Sequence, residues 1–286
     1  MSSLNFLEKI PKLPVEQWVG DLTDWITDTF EFFFEPIKEH LGNFIDWMSE
    51  TLQLINPVIF ILLIVLLAFF ATGKRFGLAF FALIGLIFIH NQELWAHLMD
   101  TFSLVITASL ISVILGVPFG IWMAKSGIVQ AIVTPILDFM QTMPAFVYLI
   151  PAVAFFGIGM VPGVFASVIF AVPPTVRFTN LGIRQVSTEL IEASDAFGTT
   201  GVQKLFKVQL PMAKKTIMAG INQTVMLALS MVVIASMIGA EGLGQKVIEA
   251  VQRNNVGLGF VAGISIVILA IIIDRFTQSL NTQKGD

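Results

Sequence analysis

Chemistry in this chain has to come from very few side chains. Its 286 residues include three histidines, no cysteine and only 13% charged residues. His40, His90 and His97 stand at no metal-binding spacing, so no metal site is expected. Without cysteine there is no disulfide framework, thiol nucleophile or thiolate metal ligand, and no G-x-S-x-G elbow occurs. "GAEGLGQK", Gly239 to Lys246, imitates a phosphate-binding loop. Gln245 takes the lysine position, however, no Ser or Thr follows, and no strand precedes. These residues point away from an enzyme and from ATP hydrolysis by the chain itself. No cofactor, metal or nucleic acid is expected as its own ligand.

Charges inside apolar runs are the next candidates, because an ion in hydrocarbon is expensive and is kept for function. Asp138 lies about two turns into one such run and Asp100 sits near the outer end of another. A proton- or sodium-driven carrier would need more of them. Carriers also often show an internal repeat, and the two halves of this chain differ in length, loops and motifs.

The elements that must hold these residues are membrane spans. Hydrophobic residues make up 56% of the chain, and mean hydropathy is +0.84. Several apolar runs approach the ~20 residues that cross a bilayer. About seven spans are expected, near 54–72, 76–90, 98–124, 131–158, 163–180, 217–239 and 257–273. Pro135, Pro144 and Pro151 should bend the fourth, and Pro173 and Pro174 should kink or break the fifth, where Arg177 should snorkel to a surface. The fold class is therefore an all-α polytopic membrane protein.

Residues 1–50 carry ten acids and three lysines, a net −7, against +3 for the remainder. With alternating spans, Lys74, Arg75, Lys125, Arg177, Arg184, Lys204, Lys207, Lys214, Lys215, Arg275 and Lys284 share one side, and only Lys246 and Arg253 join the acidic N-terminus on the other. Basic loops face the cytoplasm, so the N-terminus is expected outside and the C-terminus inside. Residues 15–48 place Trp18, Trp25, Phe30, Phe33, Ile37 and Phe44 at helical steps among acids. They read as an interfacial amphipathic helix, with a break at Pro36. Three parts follow: an acidic outer segment 1–53, peripheral spans 54–92, and a core 93–280 with a cytoplasmic loop of about 180–216. The opening residues lack a basic start and an apolar h-region, so no cleavable signal is expected.

That loop contains "EASDAFGTTGVQKLFKVQLP", Glu192 to Pro211. A short helix ended by Gly198 in the left-handed cap, with small residues at 193, 194 and 196, suits a helix-turn-helix that sits in another protein's groove. The stretch resembles the signature of bacterial ABC-importer permeases: E-A-A, three residues, G, nine residues, I-x-L-P. Ser194 replaces the second alanine and Val208 the isoleucine. "MQTMPAFVYLIPAVAFFGIGMVPGVFA" and "VPPTVRFTNLGIRQVSTELIEA" are similar to permeases of the glycine betaine/proline betaine (quaternary-amine) importers of the OpuA and ProW type, over about residues 95–275.

The resemblance implies a type I ABC-importer permease fold, and a coupling segment in which Glu192, Ala193, Ser194, Gly198, Leu210 and Pro211 meet a cytoplasmic ATP-binding subunit. ATP would be bound by that partner. It implies an extracytoplasmic substrate-binding protein, a second copy of the chain across a symmetric pathway, and a multi-pass place among the lipids of the bacterial inner membrane. The expected function is uptake of glycine betaine or a related osmoprotectant. A permease for methionine or another amino acid is the alternative, and an ion-coupled carrier is disfavoured. Pro144, Phe146, Tyr148 and Asp138 are candidates for the pathway. Phe146, Tyr148, Phe155 and Phe156 could form a transient aromatic cage for a quaternary amine, but packing and lipid contact are the expected roles of such aromatics.

Overall fold

A computed structural model of the protein describes residues 13–71 and 76–282; Lys74, Arg75 and Lys284, used above for orientation, lie outside them. The described residues are helical and contain no strand. Two helices open the chain, α1 (Val15–Thr29) and α2 (Glu31–Leu54). The break between them falls at Phe30, not at the expected Pro36, which α2 includes. Pro36 removes one backbone donor near the start of that helix, too few bonds to stop it.

Next come α3 (Pro57–Ala71) and α4 (Phe76–Asn91), an apolar pair packed on each other. At ~1.5 Å per residue each is roughly 22–24 Å long, short of the ~30 Å hydrocarbon core. The axis turns by 99° between α2 and α3. The helix α5 (Trp95–Lys125) is long and apolar enough to cross alone.

The expected fourth span is two arms bent by 109° between Thr142 and Ala145: α6 (Gly127–Thr142), then a 3₁₀ turn, Ala145–Tyr148, that leads into α7 (Leu149–Phe156). Pro144 fixes the corner, with the φ −57°, ψ 135° of extended chain. By contrast α8 (Met160–Arg184) runs unbroken through Pro173 and Pro174, against expectation. Both prolines are buried, and the Thr224 hydroxyl donates to Ala171 O at 2.8 Å beside them. A neighbouring helix thus packs and bonds directly beside the two prolines, where a bundle tolerates them.

Then come α9 (Thr188–Ala196), α10 (Gly201–Lys204), a π-helical turn at Leu205–Gln209 and α11 (Leu210–Ala235). From Gly201 to Ile238 they form one helical rod of 38 residues. The described residues end with α12 (Leu243–Gln252) and α13 (Val256–Thr282). Among the described residues four helices can cross a membrane singly, and six crossings result if each bent pair counts as one. The expected loop of 180–216 is mostly helix, because α8 continues to Arg184 and the rod begins at Gly201.

The core lies where α5, α8 and α11 meet, around Leu104, Val105, Val164 and Val232. Water does not drive helices together inside lipid, so close backbone approach has to. Gly116 and Gly120, spaced G-x-x-x-G, provide it between α5 and α8. A Cβ on Gly120 would stand 2.5 Å from Thr179 Cβ and 2.7 Å from Val176 O.

Two ends of the bundle are defined by contacts. At one, Gly159 N–H bonds Ile238 O at 2.9 Å and Leu243 N–H bonds Thr101 Oγ1 at 2.8 Å. The glycine-rich imitation of a phosphate loop is here, and its Leu243 amide is spent on α5. At the other end Arg184 Nη2 donates to Met123 O at 3.1 Å, and Lys125 Nζ to Gln209 Oε1.

Candidate coupling site

The polar stretch occupies the second end as a helix–turn–helix. Glu189 in the first turn of α9 complements the helix dipole. The helix stops at Phe197, and Gly198 follows with φ +75°. Its N–H reaches back to Asp195 O at 2.9 Å. Any Cβ at this φ costs about 1–2 kcal/mol, which is why glycine stands there. Thr199 closes the turn, its hydroxyl donating to Ser194 O at 2.7 Å.

The next helix starts with a capping box. Gln203 N–H bonds Thr200 Oγ1 at 3.3 Å, and Thr200 N–H bonds Gln203 Oε1 at 2.9 Å. Lys204 then pairs with Asp195, tying the two arms of the motif together. Pro211 enters at the start of α11, where its ring opposes the preceding carbonyls. The π turn just before it widens the helix and takes up that conflict without ending the rod.

The structure divides the expected contact residues into two sets. Glu192, Ala193, Gly198 and Pro211 are exposed. Ser194 is only 7% exposed and its hydroxyl donates to Ile191 O at 2.7 Å, so it braces the turn from inside. Leu210 is half-buried against Ile183, Ala213 and Ile217, anchoring the segment to α8 and α11. Sequence reasoning missed the apolar part of the outer face. Phe197 is 88% exposed, Val202 68% and Phe206 62%. Large apolar side chains exposed on a polar segment suit a surface that a partner covers. The available signal was that Phe197, Val202 and Phe206 stand among polar and small residues in a stretch otherwise read as fit for water.

The pathway candidates are not brought together. Tyr148 is buried, 6.0 Å from Phe170 between ring centroids, and donates its hydroxyl to Met140 O. Phe146 points outward, 59% exposed, and Pro144 forms the corner before it. Phe155 stacks on Phe34 of α2 at 4.7 Å, and Phe156 packs on Phe165 at 4.8 Å. No cage forms: Phe155 and Phe156 pack α7 on its neighbours, Tyr148 is buried against Phe170, and Phe146 stays exposed. Asp138 is not an isolated acid: it pairs with Arg177 of α8, which also replaces the expected snorkelling of that arginine. Asp100 accepts from Ser49 and, at 2.9 Å, from Gln53, both on α2.

Two further features escaped the sequence reading. Asp274, just past the expected end of the last span, accepts from Asn222 Nδ2 of α11 at 3.0 Å and from Gln278. At the other end Glu249 of α12 bonds Lys246 and Arg253, each at 2.9 Å. The Lys246 hydrogen bond holds the Glu249 carboxyl below its ordinary range, and the charge of Arg253 adds to this.

Four long helices, two bent pairs and an exposed helix–glycine–helix at one end are those of a multi-pass membrane protein. Residues 116–284 match the family described as "Binding-protein-dependent transport system inner membrane component", and the chain belongs to that family. It is 61% identical over 277 residues to the glycine betaine/carnitine transport permease protein GbuB of Listeria monocytogenes, covering 96% of this chain and 98% of that protein. Identity is 50% to the glycine betaine transport system permease protein OpuAB of Bacillus subtilis, over 97% and 98% of the two chains. It is 53% to the glycine betaine/proline betaine permease ProW of Salmonella typhimurium, over 94% and 75%. Among solved structures, the inward-facing MetNI methionine ABC transporter superposes with TM-score 0.60 at 21% identity, covering 64% of this chain and 91% of that one. That likeness speaks for the fold alone.

Proposed function

We propose that this chain is the membrane-spanning permease of a binding-protein-dependent ABC importer for glycine betaine or a closely related compatible solute. The observation that carries the reading is the exposed Glu192–Pro211 helix–turn–helix, with its apolar Phe197, Val202 and Phe206, in a chain alike to glycine betaine permeases along nearly its whole length.

A separate cytoplasmic ATPase covers this segment, and an external binding protein delivers solute at the opposite end. Two copies of the chain enclose the pathway. The coupling end holds Lys125, Arg184, Lys204, Lys207, Lys214 and Lys215, which supports its cytoplasmic placement, with the acidic N-terminus outside.

The rod explains how motion travels. Its 38 residues extend about 57 Å at 1.5 Å per residue, well beyond the ~30 Å hydrocarbon core. ATP-driven approach of the two ATPases draws the paired coupling segments together. The Asp195–Lys204 pair and the capping box carry the shift into the rod. Its far end bonds Gly159 through Ile238 O, next to the outer mouth. A rigid element in contact with both ends lets one displacement open one mouth and close the other.

The test is reconstitution. Proteoliposomes with the permease, the ATPase, ATP on the ATPase side and the binding protein should accumulate radiolabelled glycine betaine. The permease alone should not, under a proton or a sodium gradient. If an ionophore abolished uptake at constant ATP, the reading would be wrong.

A further inference from the structure

One line of α11 is left uncovered by the rest of the chain. Ala219, Gln223, Ser230 and Met237 are exposed along it, and Met226 and Val233 stand half-buried between them. The other sides of the helix are occupied. Thr224 bonds Ala171 O of α8, and Ala228 and Val232 lie in the core. Asn222 spends its amide on Asp274 and Thr277 of α13, and Met231 is buried with Tyr148 and Leu149. The uncovered positions recur at alternating steps of four and three, from 219 through 223, 226, 230 and 233 to 237. That 3.5-residue period is the seam along which two helices pack on each other.

Gln223 decides what can cover this line. It lies eight residues beyond Lys215, about 12 Å along the helix, inside a stretch apolar enough to cross a membrane. Its side chain is exposed and has no hydrogen-bond partner among the described residues. An amide facing hydrocarbon would leave its donors and acceptor unpaired, a costly state in lipid. A side suited to lipid looks different: α3 contains no polar side chain, and Leu62, Leu63 and Leu66 are exposed on it. A purely aqueous lining fits no better, since the side chains of Ala219, Met226, Val233 and Met237 offer water nothing to bond. Another helix fits both halves of the pattern. Small and apolar residues pack, and an amide among them bonds a polar group on the facing helix.

We propose that the occupant is the same line of a second copy, so that two α11 helices meet across a two-fold axis with Gln223 against Gln223. The proposal rests on the two-copy permease reading above. At such an axis the same surface of each copy meets itself. Glutamine suits that place because its amide both donates and accepts. Two of them satisfy each other, whereas a carboxylate or an ammonium would face its own charge. The rods that carry the coupling segments are then also the elements that touch. Solute passes where the two lines part, and the Gln223 pair closes the passage when they meet.

The experiment uses the permease–ATPase complex in bacterial membranes. The chain lacks cysteine, so a permease–permease disulfide in a single-cysteine variant joins the same position in two copies. Ala219→Cys, Gln223→Cys and Ser230→Cys should cross-link on mild oxidation. Leu63→Cys and Ile84→Cys, exposed on α3 and α4, should not. Charge then checks the pairing. Assemblies with Gln223→Glu in both copies, or Gln223→Lys in both, should import glycine betaine at least tenfold more slowly, because like charges set against each other repel. Assemblies purified through two tags, with Glu in one copy and Lys in the other, should regain most of the parent rate. Absence of that recovery in a mixed assembly whose mass contains two permease copies would overturn the proposal. So would cross-linking at Leu63 or Ile84 in place of the α11 positions. A complex with a single permease copy would remove the proposal together with the two-copy reading. If the parent assembly moves no betaine at all, the permease reading falls, while the disulfide pattern still decides the contact.

Discussion

Placing an aspartate at position 198 tests the coupling site with a calculable internal cost. Gly198 has φ +75°, and a Cβ built on it meets no atom of the chain within 4 Å. The internal penalty is therefore conformational: about 1–2 kcal/mol for a Cβ residue in the left-handed region. A negative charge at the C-terminal end of α9 adds roughly 0.3–1 kcal/mol against the helix dipole. The total of about 1–3 kcal/mol is confined to one surface turn held by Thr199, the capping box and the Asp195–Lys204 pair. Gly198→Asp should thus insert, fold and elute in size exclusion like the parent. The empty volume around the Cβ is where the ATPase should sit, however, and there the carboxylate would be buried without a partner. In the reconstituted assembly, substrate-stimulated ATP hydrolysis should fall at least tenfold while the ATPase keeps its basal rate. Gly198→Asn, whose side chain tolerates positive φ, separates the two causes: it relieves backbone strain but still fills the space, so it should also uncouple. Normal stimulated hydrolysis in both variants would refute the assignment of this turn to the interface.

Gly120→Leu should open the seam between α5 and α8, since its Cβ alone would stand 2.7 Å from the Val176 carbonyl. Overpacking typically costs about 1–3 kcal/mol, to be read as a lower midpoint in a thermal-unfolding scan of the detergent-solubilised protein. The chain lacks cysteine, so single cysteines report orientation. Gln252→Cys, at the end opposite the coupling segment, should react with an impermeant maleimide in intact cells, and Gln185→Cys at the coupling end should not. Ser49, in the N-terminal segment, is a poor probe because it is buried against Asp100. Glu249 has its carboxyl held below the ordinary value of 4.5, first by Lys246. The ion pairs it makes therefore stabilise the end opposite the coupling segment above about pH 4.5 and lose that effect as pH falls through the lowered value. The difference in melting temperature between parent and Glu249→Gln should be constant near neutrality and shrink in acid.

Much of this protein was legible without coordinates. Composition alone required a membrane protein, because 13% charged residues cannot cover a soluble surface of this size. The spacing from Glu192 to Pro211 located the helix, the left-handed glycine and the following helix, since these depend on local backbone preferences and near-neighbour bonds. The sequence also showed that the fourth run could not be straight, as proline geometry is local. It could not show which proline would turn the chain. Pro144 marks a corner, Pro36 is absorbed, and Pro173 and Pro174 lie inside an unbroken helix. The outcome depends on how neighbouring helices pack around each proline, as α11 does beside α8 through Thr224.

Tertiary packing likewise decided what each side chain at the site does. Ser194 and Leu210 stand in the same motif as Glu192 and Ala193, yet they face inward because α8 and α11 lie beneath them. Asp138 looked like a lone charge in a span until α8 brought Arg177 to it, from 39 residues away in the sequence. Residue types and local spacing follow from the order of the chain. Which charges meet, and which faces stay open for a partner, follows from distances across helices that no local pattern records.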